Sequence, residues 1–283
     1  MREPVQNYQV GCLLLALGLI GCEQAPRAAP AQRRVSDTPV VRVEDLTWTE
    51  LANQVAHGKT TVIIPVGGTE QSGPAIALGK HNFRVAVLAD QIANELGDAL
   101  VAPVVAYVPE GELSPPTEHM RFPGTITVPH EVFMDELASV SESFAAHGFK
   151  TVALIGDHGG YQTDLGTVAN KLNSAWRNRN IRAVFVSDYY GASQGAYVRA
   201  LEQHGFKPGE IGKHAGLADA SLTLATAPGA VRRAALGAAA ASAASAGASG
   251  DPRHATAELG ALGTRLMIDA AVQQIRAAEI SNR

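Results

Sequence analysis

Residues 61–66, TVIIPV, form a short run of apolar and β-branched side chains between Gly58-Lys59 and Gly67-Gly68, as expected of a strand buried on both faces that ends in a tight loop. Over residues 83–96, Val85, Leu88, Ala89, Ile92 and Leu96 recur at helical spacing, and residues 100–108 return to a strand-like pattern. The cycle repeats, with a helix predicted over 130–147, a strand over 151–155, a helix over 164–177 and a strand over 181–187. Such alternation belongs to right-handed βαβ crossovers, so the fold class is α/β with a mainly parallel central sheet. Residues 234–250, AALGAAAASAASAGASG, carry almost no large apolar group and read as a surface insertion, helical by alanine content or looped by glycine and serine. Leu259, Leu262, Leu266, Ile268, Val272 and Ile275 restore amphipathic spacing and predict a closing helix over 255–278.

The first segment has a different pattern. Residues 10–20, VGCLLLALGLI, are too few to span about 30 Å of hydrocarbon as a mature helix but suit a signal-peptide core. Leu19-Ile20-Gly21-Cys22 resembles a bacterial lipobox, in which Cys22 would receive lipid. The expected division is a signal peptide over 1–21, a Pro-, Ala- and Arg-containing tether over 22–40, and one folded domain over 41–283. Glu23 stands where an aspartate would resemble an inner-membrane retention signal, so the expected location is the periplasmic face of the outer membrane, with membrane attachment through Cys22.

Composition narrows the chemistry. The 283 residues carry 23 basic against 27 acidic side chains, a formal charge of −4, which supplies no positive field for a nucleic-acid backbone. Both cysteines, Cys12 and Cys22, precede the folded part, so no disulfide, thiolate site or cysteine nucleophile is expected there. Oxygen and nitrogen side chains must do the work.

In an open α/β sheet, ligands bind beyond the carboxyl ends of the strands. Glu70 follows the first strand in a glycine-bounded turn, with His81 beyond it, and His158 follows the strand TVALI within Gly156-Asp157-His158-Gly159-Gly160. One carboxylate and two imidazoles suit Zn2+, Mn2+ or Fe2+, with Asp219 as a fourth ligand. His214 is placed to move protons, a task that fits an imidazole near neutral pH. Ser72 lacks a Gly-x-Ser-x-Gly elbow and is read as a pocket residue rather than a nucleophile. Asp157 is read as a further pocket residue, and Glu118 and His119 are expected to line the pocket or an oligomer contact.

The segments PVGGTEQSGP (65–74), EHMRFPGTITV (118–128), GDHGG (156–160), HAGLADASL (214–222) and GDPRHATAELG (250–260) together resemble the creatininase (creatinine amidohydrolase) family over roughly residues 45–278. The resemblance implies a three-layer α/β/α sandwich, assembly into homo-oligomers such as hexamers, and a metal-dependent amidohydrolase centre. It matches Glu70 and His158 to metal ligands, His214 to a catalytic histidine, and Asp219 to a position where some relatives use a glutamate ligand. It also marks departures: Ser72 replaces a metal-binding histidine, His81 a bridging aspartate, Asp157 an asparagine and Lys213 a frequent glutamate.

Serine is a poor zinc ligand and a neutral imidazole does not bridge two cations, so one tight metal is expected rather than two, which counts against creatinine itself as substrate. The expected activity is hydrolysis of a C–N bond in a small amide or cyclic amide by metal-activated water. The alternatives are a non-catalytic binding or assembly lipoprotein with a decayed site and, more remotely, a non-haem iron oxygenase.

Overall fold

The computed structural model describes residues 40–280, so the predicted signal segment, Cys22 and the tether up to residue 39 lie outside the described residues. Four strands form the central sheet: β1 (Thr61–Val66), β2 (Ala99–Val101), β3 (Thr151–Gly156) and β4 (Arg182–Phe185). Their order is β2-β1-β3-β4 and every pairing is parallel. Among the described residues, ten α-helices accompany them: α1 (Trp48–Ala56), α2 (Lys80–Leu96), α3 (His130–Ala146), α4 (Gln162–Ala175), α5 (Ser187–Gln194), α6 (Ala196–Gln203), α7 (Pro208–Ile211), α8 (Leu217–Thr226), α9 (Leu236–Ala241) and α10 (Ala257–Ile280).

The apolar run of β1 is explained by cover on both faces. Val62, Ile64 and Val66 join Phe133, Leu137 and Leu165 from α3 and α4 in one core, whereas Ile63 joins Val85, Leu88, Ile92, Ala271 and Ile275 from α2 and α10 in the other. β3 alternates in the same way, Val152 and Leu154 against Ala153 and Ile155. A period of two through a sheet with helices on each side gives the three-layer α/β/α sandwich. No helix among the described residues is long and apolar enough to cross a membrane.

Three boundaries differ from the sequence pattern. The strand expected over 100–108 ends at Val101, because Pro103 offers no N–H to the ladder; contact with β1 resumes only at a Val66–Val105 bridge, where the Val105 N–H donates to the Pro65 carbonyl (2.9 Å). Helix α2 begins at Lys80, three residues earlier than its apolar spacing suggests, which brings Lys80 and His81 onto its first turn. The segment 234–250 is more than a surface insertion: Leu236 and Ala239 are buried, and the Ser249 N–H donates to the His214 carbonyl (2.8 Å). Small side chains let this segment lie close against the loop that carries His214.

Val66 and Gly156 pair at the carboxyl ends of β1 and β3, and the chain leaves both strands there. Tyr161 ties the two exits together. Its hydroxyl lies 2.8 and 2.6 Å from the Val66 and Gly67 carbonyls and accepts from the His158 N–H at 3.1 Å.

Candidate metal centre

The loop after β1 is held by its neighbours rather than by regular structure. Asn82 accepts from the Gly68 N–H (2.8 Å), the Leu78 carbonyl from the Glu70 N–H (3.1 Å) and the Thr125 hydroxyl from the Gln71 N–H (3.0 Å). Gly68 has φ 146, and a Cβ there would come within 2.7 Å of Glu110 Oε1. Glycine therefore lets the loop approach a second buried carboxylate.

Glu70 is fully buried, and its two oxygens face different surroundings. Oε1 is 2.8 Å from His81 Nε2, 3.2 Å from Lys80 Nζ and 3.6 Å from His214 Nδ1. Oε2 is 3.0 Å from His119 Nε2 and 3.3 Å from His158 Nε2, yet neither contact is aligned as a hydrogen bond and the oxygen has no partner. Burial alone would raise this carboxyl's pKa, but the Lys80 ammonium and the surrounding imidazoles prevail and hold it well below the usual range.

Glu110 sits opposite, 1% exposed, and both of its carboxylate oxygens also lack a hydrogen-bond partner. Burial, and then the charge on Glu70, push its pKa up to about 9. Burial holds His158 below the ordinary imidazole range in spite of Glu70, so it is neutral at pH 7. One donor atom from each of Glu70, Glu110, His119 and His158 falls within 4.8 Å of the others. Buried carboxylate oxygens without donors, set beside imidazole nitrogens, make a hard-to-borderline donor set that a divalent cation would satisfy.

Of the ligands expected from sequence, Glu70 and His158 belong to this group, while His81 and Asp219 are placed differently. His81 directs Nδ1 to Asp157 Oδ2 (2.6 Å) and Nε2 to Glu70 Oε1 (2.8 Å), which commits both ring nitrogens to carboxylates. Asp219, in the first turn of α8, accepts from Lys80 Nζ (2.8 Å), Arg84 Nη1 (3.1 Å) and the Ala215 N–H (2.9 Å). Burial would raise its pKa, but those two cations hold it well below the usual range. Asp157 is likewise taken up by Arg84, His81 and the Tyr189 hydroxyl (2.8 Å). Ser72 is buried with an unpartnered hydroxyl and is not a member of the group.

His119, expected at the pocket, joins the donor group itself, while Glu118 lies exposed at its edge. Glu110 was not singled out by sequence, although it follows the 100–108 segment in Pro109-Glu110-Gly111, a strand-exit position like that of Glu70. The interruption at Pro103 concealed the parallel.

His214 stands on the inner side of the centre. Its Nε2–H donates to the Gln71 carbonyl (2.9 Å), which leaves the Nδ1 lone pair facing Lys80 and Glu70. Burial and the nearby Lys80 charge push its pKa down to about 4, so it is neutral at pH 7. The Gln71 side chain braces this arrangement, donating to the Gly247 carbonyl at 2.6 Å and lying 3.1 Å from His119 Nδ1.

Two cavities meet at His158. One, of about 300 Å³, is bordered by Arg84, Tyr190, Lys213, His214 and Ser249. The other, of about 870 Å³, is bordered by Glu112, Glu118, His130 and Glu131. The smaller volume suits a small molecule with polar groups on several sides.

Comparison with known proteins gives a consistent picture. The family profile described as creatinine amidohydrolase, Creatininase, matches residues 44–275. The 3-dehydro-scyllo-inosose hydrolase of Thermotoga maritima is 36% identical over 99 residues, 35% of this chain and 30% of the relative. The creatinine amidohydrolase of Pseudomonas putida is 26% identical over 194 residues, 66% of this chain and 72% of the relative. The match thus spans less than a third of the first relative's length and most of the second's. A solved creatininase structure in its Mn form superposes with a TM-score of 0.69 at 21% identity, covering 85% of this chain and 99% of that one, a likeness of fold.

Proposed function

The chain belongs to the creatininase family, and from that footing we propose that it is a metal-dependent amidohydrolase acting on a C–N bond of a small amide or cyclic amide. The observation that carries the reading is the set of buried, unpartnered oxygens on Glu70 and Glu110 facing His119 and His158. These four side chains would hold Zn2+ or Mn2+. The bound ion would supply Lewis acidity, polarising a carbonyl and making a nearby water a better nucleophile.

The remaining chemistry falls to the chain's own groups. His214, neutral at pH 7 and bordering the smaller cavity, is the imidazole that would carry a proton from the attacking water to the departing nitrogen. The Gln71 backbone carbonyl fixes the position of that imidazole by accepting from its Nε2–H. The 300 Å³ cavity admits a compact substrate, and Arg84, Tyr190 and Lys213 provide donors that would orient its carbonyl and ring substituents. The orphaned donors also favour an enzyme over a decayed binding protein, because Glu110 and His119 restore a complete ligand set despite Ser72.

The test is hydrolysis of lactams, ureides and small amides by the metal-loaded protein, by protein stripped with a chelator, and by His158→Ala. Activity that disappears on stripping, returns with Mn2+ or Zn2+, and falls about a hundredfold or more in the variant supports the reading. Equal rates for wild type and His158→Ala would assign the activity elsewhere.

The same proposal includes attachment to the periplasmic face of the outer membrane through lipid on Cys22, supported by the Leu19–Cys22 sequence, and assembly into a homo-oligomer. Fatty-acid labelling of wild type and Cys22→Ser tests the first, and light scattering of the purified domain tests the second.

A further inference from the structure

Lys80 is the first residue of α2 and its side chain is completely buried. Nζ lies 2.8 Å from Asp219 Oδ2, 3.2 Å from Glu70 Oε1 and 3.5 Å from His214 Nδ1. Two carboxylate oxygens and an imidazole lone pair around one point are donors that a divalent ion would equally take. Four residues on, where helical periodicity returns to the same face, Arg84 grips Asp157 through Nε (2.8 Å) and Nη2 (2.7 Å) and reaches Asp219 Oδ1 at 3.1 Å. The acidic groups on the inner side of Glu70 are therefore balanced by protein cations, in contrast to the unpartnered oxygens on its outer side.

We propose that Lys80 is a built-in cation, holding the place a second metal ion would take between Glu70 Oε1, Asp219 and His214, so that the centre accepts a single ion on the outer oxygen of Glu70. The inference rests on the Glu70–Glu110–His119–His158 group being a metal centre. Lys80 is a positioning residue here: it fixes which oxygen of Glu70 turns to the ion and which way the Nδ1 face of His214 looks. A lysine in this fully buried position is held by three acceptors, Asp219, Glu70 and His214, and removing it would leave Glu70 and Asp219 with a buried charge deficit. A truncated side chain would free both the charge and the space.

The experiment measures metal stoichiometry by titration calorimetry with Mn2+ and by elemental analysis after dialysis, for wild type, Lys80→Ala and Lys80→Ala/Asp219→Asn. Wild type should bind one equivalent, Lys80→Ala two, and the double variant one. Metal-free Lys80→Ala should melt below wild type and recover only as the second equivalent is added. Two equivalents of comparable affinity on wild type, or one on folded Lys80→Ala, would overturn the inference while leaving the metal centre standing. No metal on wild type would remove the centre and the inference together. Where Lys80→Ala is unfolded without metal, circular dichroism follows its refolding: recovery with Mn2+ to a two-equivalent state supports the inference, and no recovery at any Mn2+ concentration overturns it.

Discussion

Glu70 and Glu110 bury two carboxylates in one cluster and are driven in opposite directions: the first is held well below the usual carboxylate range with Lys80 beside it, the second is pushed up to about 9 by burial and by the charge on the first. In the metal-free protein at pH 7, Glu70 is thus ionised and Glu110 carries a proton. Binding a divalent ion to Glu110 must displace that proton. Calorimetry of Mn2+ or Zn2+ binding in buffers of different ionisation enthalpy should show release of about one proton at pH 7, with affinity rising up to about tenfold per pH unit until pH approaches 9. Burial lowers the pKa of His158, which keeps its share of this release small at pH 7. Glu110→Gln should abolish it, and release unchanged in that variant would exclude Glu110 as the source.

The same groups set the stability of the metal-free protein. Glu110 binds its proton more tightly folded than unfolded, so its contribution is present below pH 4.5 and is lost as pH rises toward 9. His214 has the opposite sign: its folded pKa of about 4 lies below the ordinary 6.5, so stability is lost as pH falls from 6.5 to 4. Between pH 6.5 and 9, the Glu110 effect stands clear of His214. Melting temperature of the stripped protein should fall across that window and flatten in Glu110→Gln, as thermal scans at closely spaced pH values would show. A rising or level profile for the stripped wild type would contradict the assignment.

Gln71 connects three parts of the site that are distant in the chain. Its side chain donates to the Gly247 carbonyl, its Oε1 accepts from the Gly73 N–H (3.0 Å), and its backbone carbonyl orients His214. Gln71→Ala leaves the backbone contact but releases residues 242–249 from the loop after β1. A stability loss of about 1–2 kcal/mol in urea unfolding is expected from the missing buried hydrogen bonds. Limited proteolysis should then cut within 242–249, where wild type resists, and KM should rise more than kcat falls, since Ser249 borders the smaller cavity.

How much of this could be read from the chain follows the range of the forces involved. The doubly buried strands β1 and β3 were legible because burial on both faces demands a continuous apolar run, and Glu70 and His158 were legible because they stand directly after those strands. Glu110 escaped because its strand breaks at Pro103 and is completed only by pairing with β1, a contact distant in sequence. His81 and Asp219 carry ligand chemistry in their side chains, but whether an imidazole or a carboxylate meets a metal or a neighbouring cation depends on Lys80 and Arg84, whose direction is set by the start of α2. The segment 234–250 looked peripheral because small residues leave no hydrophobic signal, and smallness is what permits its close packing beside His214.

Asp157 gives the sharpest separation between a side chain that holds the structure and one that holds a metal. It is buried, and it accepts from Arg84, His81 and Tyr189, so its charge is spent within the protein. Although burial would raise its pKa, Arg84 and His81 hold it low, and Arg84 in turn depends on it for most of its pairing. Asp157→Asn would leave the buried guanidinium short of an anion, and breaking such a pair costs about 3–5 kcal/mol. Chemical unfolding should report a loss of that order, while Mn2+ stoichiometry stays at one and affinity changes by less than about tenfold, the scale of an indirect effect through His81 and Glu70. A hundredfold loss of metal affinity with unchanged unfolding would instead put Asp157 in the coordination sphere and displace Glu110 from the proposed ligand set.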